Sequence, residues 1–106
     1  MDPVNLVARF AEIVEPWSPV VIGELNGQQV KIAKFRGAFV WHRHAGEDEM
    51  FLVHRGSFRM EYRGRSVVVD AGEFVIVPRG VEHRPVANAE AEVVLFEPAG
   101  TVRTGD

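Results

Sequence analysis

Two histidines one residue apart, followed by a carboxylate, are the residues in this sequence best suited to chemistry. His42 and His44 flank one arginine, and Glu49 follows after a short segment, 45–48, that can turn the chain. Alternate side chains of a strand share a face, so both imidazoles could bind one ion. A returning strand could bring Glu49 to the same place, giving half or more of a divalent metal site. One more ligand is needed, and the good donor downstream is His83.

The composition narrows the kinds of ligand and partner. The chain has no cysteine, so any metal must be held by nitrogen and oxygen. A net charge of −3 provides no basic surface for nucleic acid. The N-terminus lacks the basic start of a signal peptide, and no window approaches the roughly 18 apolar residues of a membrane span. We therefore expect a cytoplasmic protein with no nucleic-acid or membrane partner.

The elements that must position these residues are almost all β-strands. A chain of 106 residues suits one domain with one core. Apolar residues at helical spacing predict a short amphipathic helix within residues 1–17. Residues 19–97 are typical of an antiparallel sandwich or barrel, and residues 98–106 are predicted to be an extended tail. The predicted strands are 20–25, 28–35, 39–44, 49–54, 57–62, 66–69, 74–77, 81–86 and 93–96.

A second pattern bounded by glycine gives the metal ligands a family context. Its residues are Gly72, then Pro78-Arg79-Gly80, then His83, and the first pattern runs from Gly37 through His42, His44 and Glu49 to Gly56. Together these patterns resemble the two motifs of the cupin superfamily, over roughly residues 37–88. The gap before His42 is one residue shorter than is usual there, and Asn88 falls one residue late.

The resemblance implies an all-β fold, a double-stranded β-helix or jelly-roll barrel with an ion inside, preceded by the short helix. It implies that the metal ligands are His42, His44, Glu49 and His83. Strand alternation then places their neighbours inside the barrel, where apolar residues are required. The predicted pocket residues are Val40, Phe51, Val53, Phe58, Met60 and Phe74. His54 has the opposite parity to Glu49 and is predicted to lie on the surface.

Three neutral imidazoles and one carboxylate suit Fe, Mn, Ni, Zn, Co or Cu rather than calcium or magnesium. Four protein ligands leave positions open for Lewis-acid or oxygen chemistry. Tyr62, the sole tyrosine, is the candidate catalytic acid or base, although it would also serve as a core aromatic. We favour oxygen-dependent, dioxygenase-like oxidation of a small, partly apolar molecule. A sugar-phosphate-isomerase-like enzyme, a cyclase, a non-catalytic sensing module and a metal-free barrel remain as alternatives.

Four large apolar side chains have outward parity in the predicted strands. Such a patch is seldom left in water, so we expect another part of the protein or a partner to cover it. These residues are Phe39, Trp41, Met50 and Leu52. Either the N-terminal helix covers them through Val7, Phe10 and Val14, or a second subunit does. The resemblance favours a homodimer, since small cupins commonly form one.

Overall fold

The longest strand runs through the middle of the structure and joins its other strands into one sheet system. The structure is a computed structural model that describes all 106 residues. Its elements are the helix α1 (Leu6–Ala11) and the strands β1 (Val20–Leu25), β2 (Gln28–Ala38), β3 (Glu49–Arg55), β4 (Ser57–Tyr62), β5 (Arg65–Asp70), β6 (Phe74–Val77) and β7 (His83–Pro98). The predicted strands over residues 20–25, 57–62 and 74–77 are confirmed. The strand predicted over 93–96 and residues 83–86 of the one predicted over 81–86 belong to the single strand β7.

All strand pairs are antiparallel, and β7 contacts three partners. The order is β1-β2-β7-β3-β6, and β4 pairs with both β7 and β5. The C-terminal half of β7 lies between β2 and β3, while residues 83–86 pair with β4. The sheet thereby curves around one core, and the all-β jelly-roll barrel expected from the sequence is confirmed. The buried core residues are Ala33, Phe35, Phe51, Val53, Phe58, Met60, Val69, Val77, Ala87, Ala91, Val93 and Leu95.

The predicted strand over residues 39–44 is wrong, and the error has a local cause. Strand β2 continues to Ala38, but its pairing with β7 shifts register between Phe35 and Gly37. Gly37 has a φ of 79°, in a region that favours glycine, so the alternation does not pass through it unchanged. The segment beyond β2 is extended and irregular, and only His42 pairs there, in an isolated bridge with His83.

The N-terminal helix is shorter than the predicted segment of residues 1–17. Asn5 is its N-cap, and the side-chain oxygen of Asn5 accepts a hydrogen bond of 2.9 Å from the Ala8 amide. Phe10 is fully buried in a small second cluster with Ile13, Ile32 and Val94, against which Leu52 packs. The helix therefore covers Leu52 through Phe10, whereas Val7 and Val14 are exposed. No helix here has the length and apolar character that crossing a lipid bilayer would require.

The four apolar residues that were predicted to form one outward patch lie in different environments. Phe39 stacks on Trp17, and Trp41 lies beneath Arg63, whose guanidinium carbon is 3.9 Å from the ring centroid. Met50 is half-buried. The large apolar side chains that are exposed on the sheet include Val68, Phe74 and Ile76 instead.

Candidate metal centre

Three parts of the chain bring the predicted ligands together. Main-chain hydrogen bonds join His42 and His83 in both directions, at 3.1 and 2.9 Å, and their ring centroids lie 4.2 Å apart. The carbonyl of His44 accepts a hydrogen bond of 2.7 Å from Gly80, in the turn before β7. Glu49 is the first residue of β3. The loop between β2 and β3, the turn before β7 and the start of β3 therefore meet at one end of the barrel.

The four side chains converge on a common centre. One nitrogen or carboxylate oxygen from each of His42, His44, Glu49 and His83 lies within 4.8 Å of the others. His44, Glu49 and His83 are buried, with 3%, 5% and 0% of their surface exposed, and His42 is half-buried. The structure thus brings together all four residues that the sequence predicts as ligands.

The hydrogen bonds around the cluster leave its inward atoms without partners. Nδ1 of His42 and Nδ1 of His83 each lie 2.9 Å from a carbonyl, of Val40 and Val81 respectively. A carbonyl only accepts, so each Nδ1 carries the hydrogen and each Nε2 keeps a free lone pair. Such outer hydrogen bonds are what metal-binding histidines ordinarily have.

Buried polar atoms at the centre lack hydrogen bonds. Nδ1 and Nε2 of His44, Oε1 of Glu49 and Nε2 of His83 are all without a partner. Nε2 of His44 and of His83 lie 3.2 and 3.7 Å from Oε1 of Glu49, but these contacts do not satisfy hydrogen-bond geometry. Leaving such atoms unsatisfied is costly, and a cation at the centre would satisfy Nε2 of His44, Oε1 of Glu49 and Nε2 of His83. The donor set and its unpaired atoms therefore fit a transition metal.

Proton affinities in the cluster differ with each residue's surroundings. Burial lowers the pKa of His42, because the charged imidazolium loses solvation. The carboxylate of Glu49, 3.2 Å from Nε2, raises the pKa of His44 because it favours the protonated imidazole. Burial acts to raise the pKa of Glu49, but interactions with His44 and His83 outweigh it and lower that pKa. The metal-free cluster thus keeps Glu49 ionised.

A mostly apolar cavity adjoins the cluster. It offers about 40 Å³ to the centres of water molecules, and about 430 Å³ when its open mouth is included. The inner space accepts an ion and a few waters, since one water needs roughly 10–15 Å³. The lining residues are Trp17, Pro19, Lys31, Ala33, Phe35, Phe39, His42, Glu49, Phe51, Pro85, Leu95, Glu97 and Arg103.

Trp17 forms part of the cavity wall and is held in place by main-chain groups. Its amide donates to the carbonyl of Lys34 and its Nε1 to that of Arg36, each at 2.9 Å. The indole stacks on Phe35 and Phe39, with centroids 4.5 and 4.8 Å away. Trp17 has a φ of 61°, which is unusual for a bulky residue, so these contacts hold an otherwise unfavourable backbone.

The pocket residues predicted from alternation divide into three groups. Phe51 lines the cavity, while Val53, Phe58 and Met60 are buried in the barrel core. The prediction is wrong for Val40 and Phe74, which are 51% and 59% exposed. Val40 follows the irregularity at Gly37, which places Phe39 at the cavity instead.

Phe74 pairs directly with Leu52 across β6 and β3. Residues that oppose each other in an antiparallel pair share a face, so Phe74 points outward with Leu52. Val75 and Val77 are the β6 residues that pack on the core.

Tyr62, the predicted catalytic residue, lies away from this cavity. It lines a separate surface pocket with Arg63, Arg65, Val67, Val75 and Val81. Burial raises the pKa of its phenol, so it is less readily ionised than a free tyrosine. This placement gives no support for a catalytic role.

Glu97 is a cavity residue that sequence reasoning missed. It is only 3% exposed, and its Oε1 lies 2.9 Å from the ammonium nitrogen of Lys31. Burial, reinforced by the neighbouring Glu49, raises the pKa of Glu97 to about 8. The available signal was strand alternation, because Val93, Leu95 and Glu97 occupy every second position of β7. The predicted strand ended at residue 96 and excluded it.

The fold and the cluster have counterparts among known proteins. Residues 29–97 match the family model described as Cupin domain. The uncharacterized protein YdbB of Bacillus subtilis (strain 168) is 30% identical over 104 aligned residues, which cover 88% of this chain and 92% of that protein. A cupin-2 domain containing protein from Shewanella frigidimarina is 40% identical, with a TM-score of 0.88 over 90% of this chain and 93% of that chain.

A more distant structure shares the fold alone. Hydroquinone 1,2-dioxygenase PnpCD, crystallised with Cd²⁺ and 4-hydroxybenzonitrile, is 20% identical. Its TM-score is 0.78, over 96% of this chain and 74% of that chain.

The geometry first defines a class, that of jelly-roll barrels with histidine and carboxylate side chains gathered beside an apolar cavity. The match over residues 29–97 covers more than half of the sequence, and full-length relatives are 30% and 40% identical. This chain belongs to the cupin family.

Proposed function

We propose that this protein binds a divalent transition metal through His42, His44, Glu49 and His83 and acts on a small molecule in the adjoining cavity. The observation that carries the proposal is the convergence of four donor atoms, of which those on His44, Glu49 and His83 are buried without hydrogen-bond partners. A bound metal would supply Lewis-acid or redox chemistry through positions that the four side chains leave open.

The chain's own residues would bind and shield the small molecule. The rings of Phe35, Phe39 and Phe51 provide apolar surface beside His42 and Glu49. Such surface suits a small, partly apolar molecule, since ligand sites are mostly apolar with a few placed polar groups. The indole of Trp17 adds further apolar surface to the same wall. The polar groups remaining in the wall are Lys31 and Glu97, which pair with each other, and Arg103.

We propose oxygen-dependent oxidation as the reaction. The wall offers few free acids or bases, which favours chemistry supplied by the metal. The shared fold with hydroquinone 1,2-dioxygenase is compatible with this reaction, although it carries over no substrate. A non-catalytic small-molecule-binding role is the second candidate. The observation that favours it is that Lys31 and Glu97, two ionisable groups of the wall besides the ligands, pair with each other.

Metal content and thermal stability test the metal site. Protein purified without added metal should contain a first-row transition metal, and chelation should lower its melting temperature. A metal that binds only the folded state stabilises by RT ln(1 + [L]/Kd), about 2.7 kcal/mol at 100 times Kd. His83→Ala should abolish both effects in a folded barrel, while His54→Ala should retain them. The proposal would be disproved by protein that contains no Fe, Mn, Ni, Zn, Co or Cu and whose melting temperature does not change when any of them is added.

Oxygen uptake separates the enzyme from the binding module. The protein loaded with Fe²⁺ is supplied with phenolic, diketone and thiol compounds in turn, and oxygen consumption is recorded. Consumption that requires both the compound and His83 supports the enzyme. Saturable binding of a compound without consumption supports the binding module.

A further inference from the structure

The C-terminal segment, residues 101–106, packs against the loop that carries His42 and His44. We propose that this segment, through Gly105 and Asp106, positions these two histidines for metal binding. The inference rests on the metal site proposed above and extends it to residues that lie outside both sequence patterns.

Gly105 lies directly against the backbone between the two histidines. Its φ is 84°, and a Cβ added there would overlap the carbonyl oxygen of Arg43 and approach Cβ of His42 to 3.0 Å. Any side chain at this position therefore requires either the segment or the histidine loop to move. The close approach is possible because glycine has no Cβ.

Asp106 makes two hydrogen bonds to the same loop. Its amide donates to the carbonyl of Arg43 at 3.2 Å, and its Oδ1 accepts from the amide of Ala45 at 3.1 Å. These bonds fix the loop immediately before and after His44. From the other side, the amide of Gly80 donates to the carbonyl of His44. The backbone of His44 is thus held between the C-terminal segment and the turn before β7.

The segment also brings a carboxylate near the one histidine of the three whose Nδ1 lacks a hydrogen-bond partner. Nδ1 of His42 and of His83 are fixed by carbonyls, whereas Nδ1 of His44 has none. A ring nitrogen of His44 and carboxylate oxygens of Glu47 and Asp106 lie within 4.8 Å of one another. Since Nε2 of His44 faces Glu49, Nδ1 is the nitrogen left for Asp106 to orient.

The beginning of the segment is itself anchored. Thr101 is buried, and its hydroxyl donates to the carbonyl of Pro98 at 2.7 Å. The guanidinium of Arg103 donates to the carbonyl of Trp17 at 2.6 Å. The segment therefore reaches the histidine loop from a fixed starting point, so a change at residue 105 is transmitted to the loop.

Glycine substitutions at two positions of similar φ test the inference. Gly105→Ala introduces the overlap with Arg43. Gly100 has a φ of 88°, and a Cβ added there would have no atom within 4 Å, so Gly100→Ala is the matched control. Affinity for Co²⁺ is measured on the full chain by titration, and the visible absorption of bound Co²⁺ reports its coordination. Gly105→Ala should weaken Co²⁺ binding 10–100-fold, the usual effect of losing an outer contact, and should change the spectrum. Gly100→Ala should stay within about threefold of the parent.

Asp106 offers a conservative rescue. Asp106→Ala removes the acceptor for the Ala45 amide and the carboxylate near His44, and it should weaken Co²⁺ binding about tenfold. Asp106→Asn keeps an acceptor oxygen and should restore most of the affinity. Equal affinities and spectra in Gly105→Ala and Gly100→Ala, or no difference between the two Asp106 variants, would overturn the positioning role alone. A parent protein that fails to bind Co²⁺ would overturn the metal site and this inference with it.

Discussion

The ammonium nitrogen of Lys31 lies 2.9 Å from Oε1 of Glu97, and this pair stands inside the barrel wall next to Glu49. Lys31 is 12% and Glu97 4% exposed at the side chain, so both ionisable groups have left water. Burying a charged pair rarely stabilises a fold by itself. Because burial raises the pKa of Glu97, the free energy of unfolding of the metal-free barrel depends on pH.

The stability of the metal-free protein should fall as pH rises from about 4.5 to about 8. Burial raises the pKa of Glu97 from 4.5 to about 8, so the folded state keeps a proton that the unfolded state releases. The stabilisation from this proton is complete below pH 4.5, the pKa in the unfolded state, and it is lost once the pH reaches about 8. Glu49 has a lowered pKa, so its effect on the free energy of unfolding changes only below pH 4.5.

Glu97→Gln isolates this effect, because its amide does not titrate. Between pH 5 and pH 8 in chelator, the parent should lose about 3.5 kcal/mol more free energy of unfolding than the variant, as measured by urea denaturation. Parallel pH curves for the two proteins would show that Glu97 does not hold the extra proton.

Metal binding should quench the fluorescence of Trp17 more strongly than that of Trp41. Trp17 reaches the cluster through Phe39, whose ring lies 4.8 Å from the indole and 5.4 Å from the imidazole of His42. Trp41 lies outside this chain of rings, under Arg63. Addition of Cu²⁺ should therefore quench the Trp41→Phe variant strongly and the Trp17→Phe variant weakly. Equal quenching of both variants would place the ion away from the cavity.

The sequence predicted the four converging side chains because their spacing is set by local structure. The turns before Glu49 and before His83 were predicted correctly from nearby residues. His42 and His44 converge with them although the strand predicted to carry this pair is absent. Phe39 and Val40 could not be placed in the same way, because the register shift beside Gly37 depends on pairing with β7, some 50 residues away. Glu97 was missed for a similar reason, since β7 extends beyond the apolar run that predicted it.

The N-terminal helix should stabilise the barrel through one side chain. Phe10 is fully buried, and its ring lies 5.3 Å from that of His54. Phe10→Ala should lower the free energy of unfolding by about 3 kcal/mol, the usual result of emptying such a site. Val7→Ala, on the exposed face of the same helix, should change it by less than about 0.5 kcal/mol. Urea denaturation measures both, and similar losses would mean that Phe10 is not the anchor.

If the protein forms the expected homodimer, self-association should depend on the outer face of β6, because apolar side chains are exposed there. Phe74 and Ile76 are 59% and 55% exposed, and β6 pairs on one side only, with β3. An edge strand with an apolar outer face favours pairing with a second copy. Ile76→Glu should shift the protein from dimer to monomer in light scattering, because dimerisation would bury an unpaired carboxylate. Trp41→Glu changes a residue already covered by Arg63 and should leave the dimer intact. Monomeric parent protein, or a dimer that tolerates Ile76→Glu, would exclude this face as the interface.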